Sequence, residues 1–296
     1  MVEGHSLRGR IVDTVLYLVL ILMAISCIVP LIHVMARSLS SYAAIQESSV
    51  VLWPVGLNFD NYKFLMTTDR LFMRTFVTSL ARVLTGVTLT LSVTLLTGYV
   101  LSRGDSRHIP GLGVFKFVML FSMLFSGGLI PVFLAYNSLG LIDNFAVLVL
   151  PGALNVFYTI IMANFFRGLP AELVEAAILD GANDFDLLFR IFVPVSLPAL
   201  ATITVFSAVE HWNSWFDGLI FMKLNTKWPL QSYLYSRVTQ QLLQSRDTID
   251  PSKLRDVTSA GLTAAMIVMA ALPIMLVYPF AQKYFIKGLT LGSVKN

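Results

Sequence analysis

Few side chains in this 296-residue chain could carry out chemistry of their own. The four histidines, His5, His33, His108 and His211, stand far apart, and none sits at metal-type spacing from a second ligand. The single cysteine, Cys27, excludes an intrachain disulfide and leaves the redox compartment unread. No Gly-x-x-x-x-Gly-Lys-Ser/Thr occurs, so the chain lacks a P-loop for ATP. Two groups of residues remain. One is an acidic cluster, Glu172, Glu175, Asp180, Asp184 and Asp186, opposed only by Arg167 and Arg190. The other lies within apolar runs: Arg82, Glu210, Trp212, Asn213, Trp215 and Phe216. An ionisable residue in such a run is costly to bury, which makes Arg82 and Glu210 functional candidates by default.

The elements that must position these groups are helices in a membrane. Hydrophobic residues make up 56% of the chain and charged residues only 13%, with a mean hydropathy of +0.75. Soluble domains run near 45–50% and about 25%, so the balance excludes a disulfide scaffold, a disordered chain and an ordinary cytosolic enzyme. Crossing ~30 Å of hydrocarbon takes roughly 20 apolar residues. Six runs qualify: 11–35, 71–101, 115–136, 145–166, 199–222 and 260–285. The fold class is therefore all-α, polytopic, with six transmembrane helices. The second run is long enough to tilt or to extend beyond the bilayer.

The first run follows Arg8 and Arg10 but far exceeds a signal-peptide core of about 7–15 residues, so it is read as retained. Ala24-Ile25-Ser26-Cys27 faintly resembles a lipoprotein cleavage site, yet the run stays apolar through Val34. Six spans put both ends on one side. Lys and Arg divide evenly between the two sides, although Arg103 and Arg107 on the second loop, against none in 137–144, lean toward ends inside. The formal charge of +4 suits topology signals and lipid anchoring better than nucleic-acid binding. Three segments are distinguished: 1–70 (tail, first span, outer loop), 71–286 (core, with the loop 167–198) and the tail 287–296.

The 167–198 loop is the most informative stretch. Pro170 suits a helix start and Glu172 its first turn. Leu173, Ala176, Ala177 and Asp180 share one helical face. Gly181 supplies a stop, and Asn183 with Asp186 reads as a capping-box analogue opening a second helix. There Phe185, Leu188, Phe189 and Phe192 form an apolar stripe, ended by Pro194 and Pro198. A helix pair flat on an anionic leaflet would be rich in Lys and Arg, whereas this one is acidic. The small Ala176 and Ala177 would let another protein approach closely. Protein docking is the better of the two readings.

In the span-five run, Trp212, Trp215 and Phe216 could stack on sugar C–H faces while Asn213 bonds a hydroxyl. They could equally form an interfacial aromatic belt. Glu210 and Arg82, each about eleven residues into its span from opposite sides, could pair; alternatively Arg82 snorkels and Glu210 lines a path. Asn155, Asn164 and Ser126-Gly127-Gly128 read as helix-packing features, the amides bonding between helices.

Glu175-Ala176-Ala177, Asp180-Gly181-Ala182 and Pro194 resemble the signature loop of permease subunits of binding-protein-dependent ATP-binding-cassette importers. The tail Gln282-Lys283-Tyr284-Phe285-Ile286-Lys287-Gly288-Leu289-Thr290 and Trp212-Asn213 resemble the carbohydrate-uptake, maltose-importer type. His211 through Gly218, with the long last outer loop, resembles a subgroup for complex, often uronate-containing oligosaccharides. The likeness covers nearly the whole chain. It implies a multi-pass bacterial cell-membrane protein with both termini cytoplasmic and no catalysis of its own. It implies Glu172, Glu175, Ala176, Ala177, Asp180, Gly181, Phe185 and Phe189 as the ATPase-coupling surface. Glu210, Trp212, Asn213, Trp215 and Arg82 are a candidate cargo path on their own chemistry, against which the resemblance sets sugar contacts mainly on the other permease. It also implies partners: a second, different permease, two ATPase subunits binding ATP and Mg, an extracellular solute-binding protein and an oligosaccharide cargo. The last outer loop carries Lys223, Lys227, Arg237, Arg246, Lys253 and Arg255 against Asp247, Asp250 and Asp256, an excess that could steer anionic sugars or equally dock an acidic face of the binding protein. The competing reading is a polytopic membrane enzyme acting on lipid or polysaccharide, which would need clustered Asp, His or Lys near one membrane face.

Overall fold

The computed structural model describes residues 7–107, 109–244 and 258–293, and every regular element among them is helical. His5, His108, Lys295 and the stretch holding Arg246, Asp247, Asp250, Lys253, Arg255 and Asp256 lie outside the described residues, as do the side chains of Arg8, Lys283 and Lys287. Among the described residues, three helices are long and apolar enough to cross a bilayer: α1 (Leu7–Ser38), α4 (Arg70–Arg107) and α14 (Thr258–Ser293). At 1.5 Å per residue, α4 runs about 57 Å, well beyond the hydrocarbon thickness.

The other three apolar runs have the expected greasy length but a broken backbone. The third comprises α5 (Leu112–Leu124) and α6 (Leu129–Ser138), interrupted where Gly128 takes φ 84. There the Gly128 amide donates to Ser126 Oγ at 3.3 Å, so this tripeptide makes a turn rather than a helix contact. The fourth comprises a 3-10 turn (Phe145–Leu148) and α7 (Val156–Arg167), with Pro151-Gly152 between them. Asn155 and Asn164 act locally, not between helices: Asn155 Oδ1 accepts from the Tyr158 amide and caps α7, while Asn164 Oδ1 accepts from Arg167. The fifth comprises α11 (Leu197–Asn213) and α12 (Phe216–Phe221), parted at Ser214-Trp215. Hydropathy reports transfer free energy per residue and is blind to such breaks, because the freed backbone groups find local partners.

The chain divides into two compact units. The first joins Met1–Arg70 with Ser236–Leu272. It holds α1, whose apolar stretch is exposed along its whole length, and the short helices α2 (Tyr42–Gln46) and α3 (Asp60–Thr67). α3 is tied to the end of α1 by the Ser38 hydroxyl on Tyr62 (2.7 Å) and by Asn61 donating to the Ser38 carbonyl (3.2 Å).

The second unit joins Leu71–Tyr235 with Pro273–Asn296. Between α7 and α11 it carries α8 (Ala171–Leu179), α9 (Asp184–Asp186), a π-helical turn (Leu187–Phe192) and α10 (Val193–Val195); α13 (Leu230–Gln244) begins at its far end. Its main core gathers Tyr99, Tyr158, Met162, Phe166, Val174, Leu187, Leu188, Phe192, Leu200 and Ile203. Residues from α4, α7 and α11 thus pack directly against the loop helices.

Candidate functional site

In the loop helices, α8 ends in a Schellman motif: the Ala182 amide donates to the Ala177 carbonyl (2.9 Å) and the Gly181 amide to the Ile178 carbonyl (3.0 Å). Gly181 sits at φ +85, and a Cβ there would meet nothing within 4 Å, so backbone conformation alone demands glycine. The capping box is complete. Asn183 Oδ1 accepts from the Phe185 and Asp186 amides at 2.9 and 3.0 Å, and the Asn183 amide donates to Asp186 Oδ2 at 3.4 Å.

Two details differ from the 3.6-residue reading. The apolar stripe splits: Leu187, Leu188 and Phe192 are buried, while Phe185 and Phe189 are 70% and 53% exposed. The cause is the π-helical winding of Leu187–Phe192, which moves side chains off a 3.6-residue face. Pro194 does not end the helix either; it lies in the first turn of α10, and the chain turns at Ser196 by 81° into α11. On α8, Val174 faces the core, while Glu172, Leu173, Glu175, Ala176 and Asp180 are exposed and Leu179 is 87% exposed. The loop thus offers a free surface of Glu172, Glu175, Ala176, Asp180, Gly181, Phe185 and Phe189, with Ala177 half-buried at its base.

Arg82 and Glu210 do not pair. Arg82, 3% exposed, donates from Nη1 to Asp217 Oδ1 (3.0 Å) and to the Ser214 carbonyl (3.3 Å), and from Nη2 to Asp217 Oδ2. Asp217 was missed by sequence reasoning, although it lies in the quoted His211–Gly218 segment seven residues after Glu210, because the break at Ser214-Trp215 that brings it to Arg82 in place of Glu210 is not visible in hydropathy. Glu210 instead accepts from the Tyr158 hydroxyl (2.9 Å), so Tyr158 is a second residue that was missed.

Glu210 and Asn213, one turn apart on α11, are exposed. Trp212 is buried, edge-on to Phe76 at 5.8 Å, and borders an apolar cavity of about 190 Å³ with Leu80, Val83, Val209, Ile274 and Tyr278. One face of Trp215 stacks on Tyr235 at 4.1 Å. Gly218 permits close approach here, since a Cβ would lie 2.2 Å from Ser232 Oγ.

A further clasp joins the 139–144 loop to the segment after α12. Lys227 Nζ donates to Asp143 Oδ2 (2.7 Å) and to its carbonyl (2.9 Å), and the Lys223 amide donates to Asp143 Oδ1 (3.2 Å). Lys227 is thereby engaged in an ion pair within the chain. The Lys227 hydrogen bond is the strongest influence on the Asp143 carboxyl and holds it below its ordinary value; desolvation works against it and the Lys223 amide with it. Because the folded value is the lower one, the clasp is at full strength above the ordinary carboxylate range near ~4 and is lost as pH falls through the lowered value. Exchange of the Lys223 amide, corrected for its intrinsic pH dependence, should stay slow down through that range and quicken only below it. Lys227→Met should bring the onset to higher pH; an unshifted onset would contradict the clasp.

The profile of the family described as "Binding-protein-dependent transport system inner membrane component" matches residues 106–291. The chain is 37% identical over 290 residues to the polygalacturonan/rhamnogalacturonan transport system permease protein YtcP of Bacillus subtilis (strain 168), covering 98% of this chain and 100% of that protein. It is 36% identical to protein LplC of the same organism, with both chains fully covered. Among solved structures, it resembles a chain of a bacterial ABC transporter involved in the import of the acidic polysaccharide alginate. The TM-score there is 0.86 and the identity 33%, covering 96% of this chain and 99% of that one. The loop helices at 171–195 and the broken α11–α12 segment both fall inside the matched region, and the chain belongs to the binding-protein-dependent transport system inner membrane component family.

Proposed function

We propose that this chain is one of two different permease subunits in an ATP-driven importer of complex, acid-bearing oligosaccharides. The observation that carries the coupling role is the loop after α7. Its inner face is packed into the unit's core, while a compact acidic and aromatic surface of Glu172, Glu175, Asp180, Phe185 and Phe189 is left uncovered. Energy then comes from two separate ATPase subunits, which bind ATP and Mg and dock on this surface. Their closure pulls the loop and rocks the permease pair from inward- to outward-facing. The loop is cytoplasmic in this arrangement. The chain crosses the membrane six times with both termini cytoplasmic, and a solute-binding protein delivers cargo from outside.

The cargo class rests on the relatives: one is named for polygalacturonan and rhamnogalacturonan, and another belongs to an importer of acidic alginate. Within this chain, Glu210, Asn213 and the free edge of Trp215 form the surface offered to the path, with Arg82 and Trp212 buried behind it as supports.

Purification tests the reading. Pulled from its native membrane, the chain should bring an ATPase and a second, non-identical permease, and alone it should hydrolyse no ATP. Robust hydrolysis by the chain alone would overturn the assignment. For cargo, uptake of uronate-bearing and neutral oligosaccharides of equal length should favour the acidic sugar; equal or better uptake of the neutral one would remove that part.

A further inference from the structure

The docking helices need a mechanical connection to the spans, and one polar contact supplies it at a defined point. Tyr99 lies on α4 and is 8% exposed. Its hydroxyl donates to Asp184 Oδ1 at 2.6 Å, at the start of α9. Its ring meets Phe192 edge-on at 5.3 Å, and Phe166 of α7 in turn meets the Phe192 ring edge-on at 5.0 Å. Close by, Arg167 Nη2 donates to the Leu101 carbonyl of α4 at 2.9 Å. Apolar packing alone allows sliding. A hydroxyl donating to a carboxylate fixes both distance and direction, and here it joins the buried Tyr99 to Asp184 at the exposed start of α9.

α4 continues unbroken from Tyr99 to Arg82, about 26 Å at 1.5 Å per residue. There it is bonded again, through Arg82 to Asp217 and to the Ser214 carbonyl at the break between α11 and α12, and through Ser79 Oγ, which accepts from the Leu230 amide at 2.7 Å. Between these points α4 lies tight on α7: a Cβ at Gly98 would come 3.1 Å from Met162, and the Thr97 and Thr159 hydroxyls are 3.2 Å apart. One stiff helix is therefore clamped by polar contacts to the docking helices at one end and to the α11–α12 break at the other.

We propose that Tyr99 is a positioning residue that passes displacement of the docking helices to α4, and through it to the Ser214-Trp215 break. This rests on the coupling role argued above. Tyr99→Phe removes the hydroxyl and keeps the ring in its packing. In the full complex in proteoliposomes, membrane abundance, ATPase recovery and basal hydrolysis should stay within twofold of the unaltered protein. The ratio of hydrolysis with loaded binding protein to hydrolysis without it should fall at least threefold.

Asp184→Ala should lower the ratio likewise, whereas Asp184→Asn, which keeps an acceptor oxygen, should hold it within twofold. The double variant Tyr99→Phe/Asp184→Ala should be no worse than Asp184→Ala alone, since the hydrogen bond lost with the Tyr99 hydroxyl is already gone there. An unchanged ratio in Tyr99→Phe would overturn the proposal. So would a drop in ATPase recovery that accounts for the whole loss, because that is a packing effect. A ratio near one in the unaltered complex would bring down the coupling reading itself, and this link with it.

Discussion

Gly181→Val should cut uptake at least tenfold while the protein still reaches the membrane at near-normal abundance. At φ +85 a β-branched residue is held where L side chains are strained by about 1–2 kcal/mol. The space around the position is open, so nothing collides and the spans have no reason to fail. Relief comes by turning the chain, which breaks the two Schellman hydrogen bonds and rotates Glu175, Ala176 and Ala177 away from the α9 cap. Gly181→Asn should retain most of the uptake, because asparagine tolerates the left-handed region. Glu175→Lys, which reverses charge on the exposed face without touching the turn, should also depress uptake if the docking groove is basic. Uptake, membrane level and ATPase recovery have to be read together. Normal uptake in Gly181→Val would mean this loop is not the coupling element, and disappearance of the protein would assign the turn to folding.

The largest stability effect should come from Asp217→Leu. Arg82 has a side chain only 4% exposed, and Asp217 is its carboxylate partner. Removing one member of such a pair leaves a buried charge uncompensated, at about 3–5 kcal/mol. With Asp217 itself 20% exposed, water reaches the site and the lower end is expected. The segment 214–218 should suffer as well, since Asp217 Oδ1 also accepts from the Ser214 hydroxyl (3.1 Å) and the Gly218 amide (2.8 Å). The midpoint of thermal aggregation in detergent should fall by several degrees. The double variant Arg82→Met/Asp217→Leu should recover much of the loss, because no charge is then stranded. A midpoint equal to that of the unaltered protein in the single variant would show that the ion pair is dispensable.

The turn chemistry of the docking loop was legible in sequence because it is local. Gly181, Asn183 and Asp186 satisfy backbone groups within five residues, so residue type and spacing determine the motif without help from the rest of the chain. The apolar runs were legible for a similar reason: partition into hydrocarbon depends on composition over a window, and composition also made the chain a membrane protein.

What only the tertiary structure decided is partnership across sequence distance. Arg82 and Asp217 are 135 residues apart, Tyr158 and Glu210 52, and Tyr99 and Asp184 85. Each polar group in a span must find some partner, but several partners were chemically acceptable, and the choice of Asp217 over Glu210 for Arg82 depends on where α11 breaks. The break at Ser214-Trp215, the turn at Gly128 and the π-helical winding of Leu187–Phe192 shift the register of every side chain beyond them. A periodicity projected along one continuous helix cannot carry across such a point. The chain's chemistry was therefore written in its sequence, and its pairings were set by packing among helices whose breaks no hydropathy window contains.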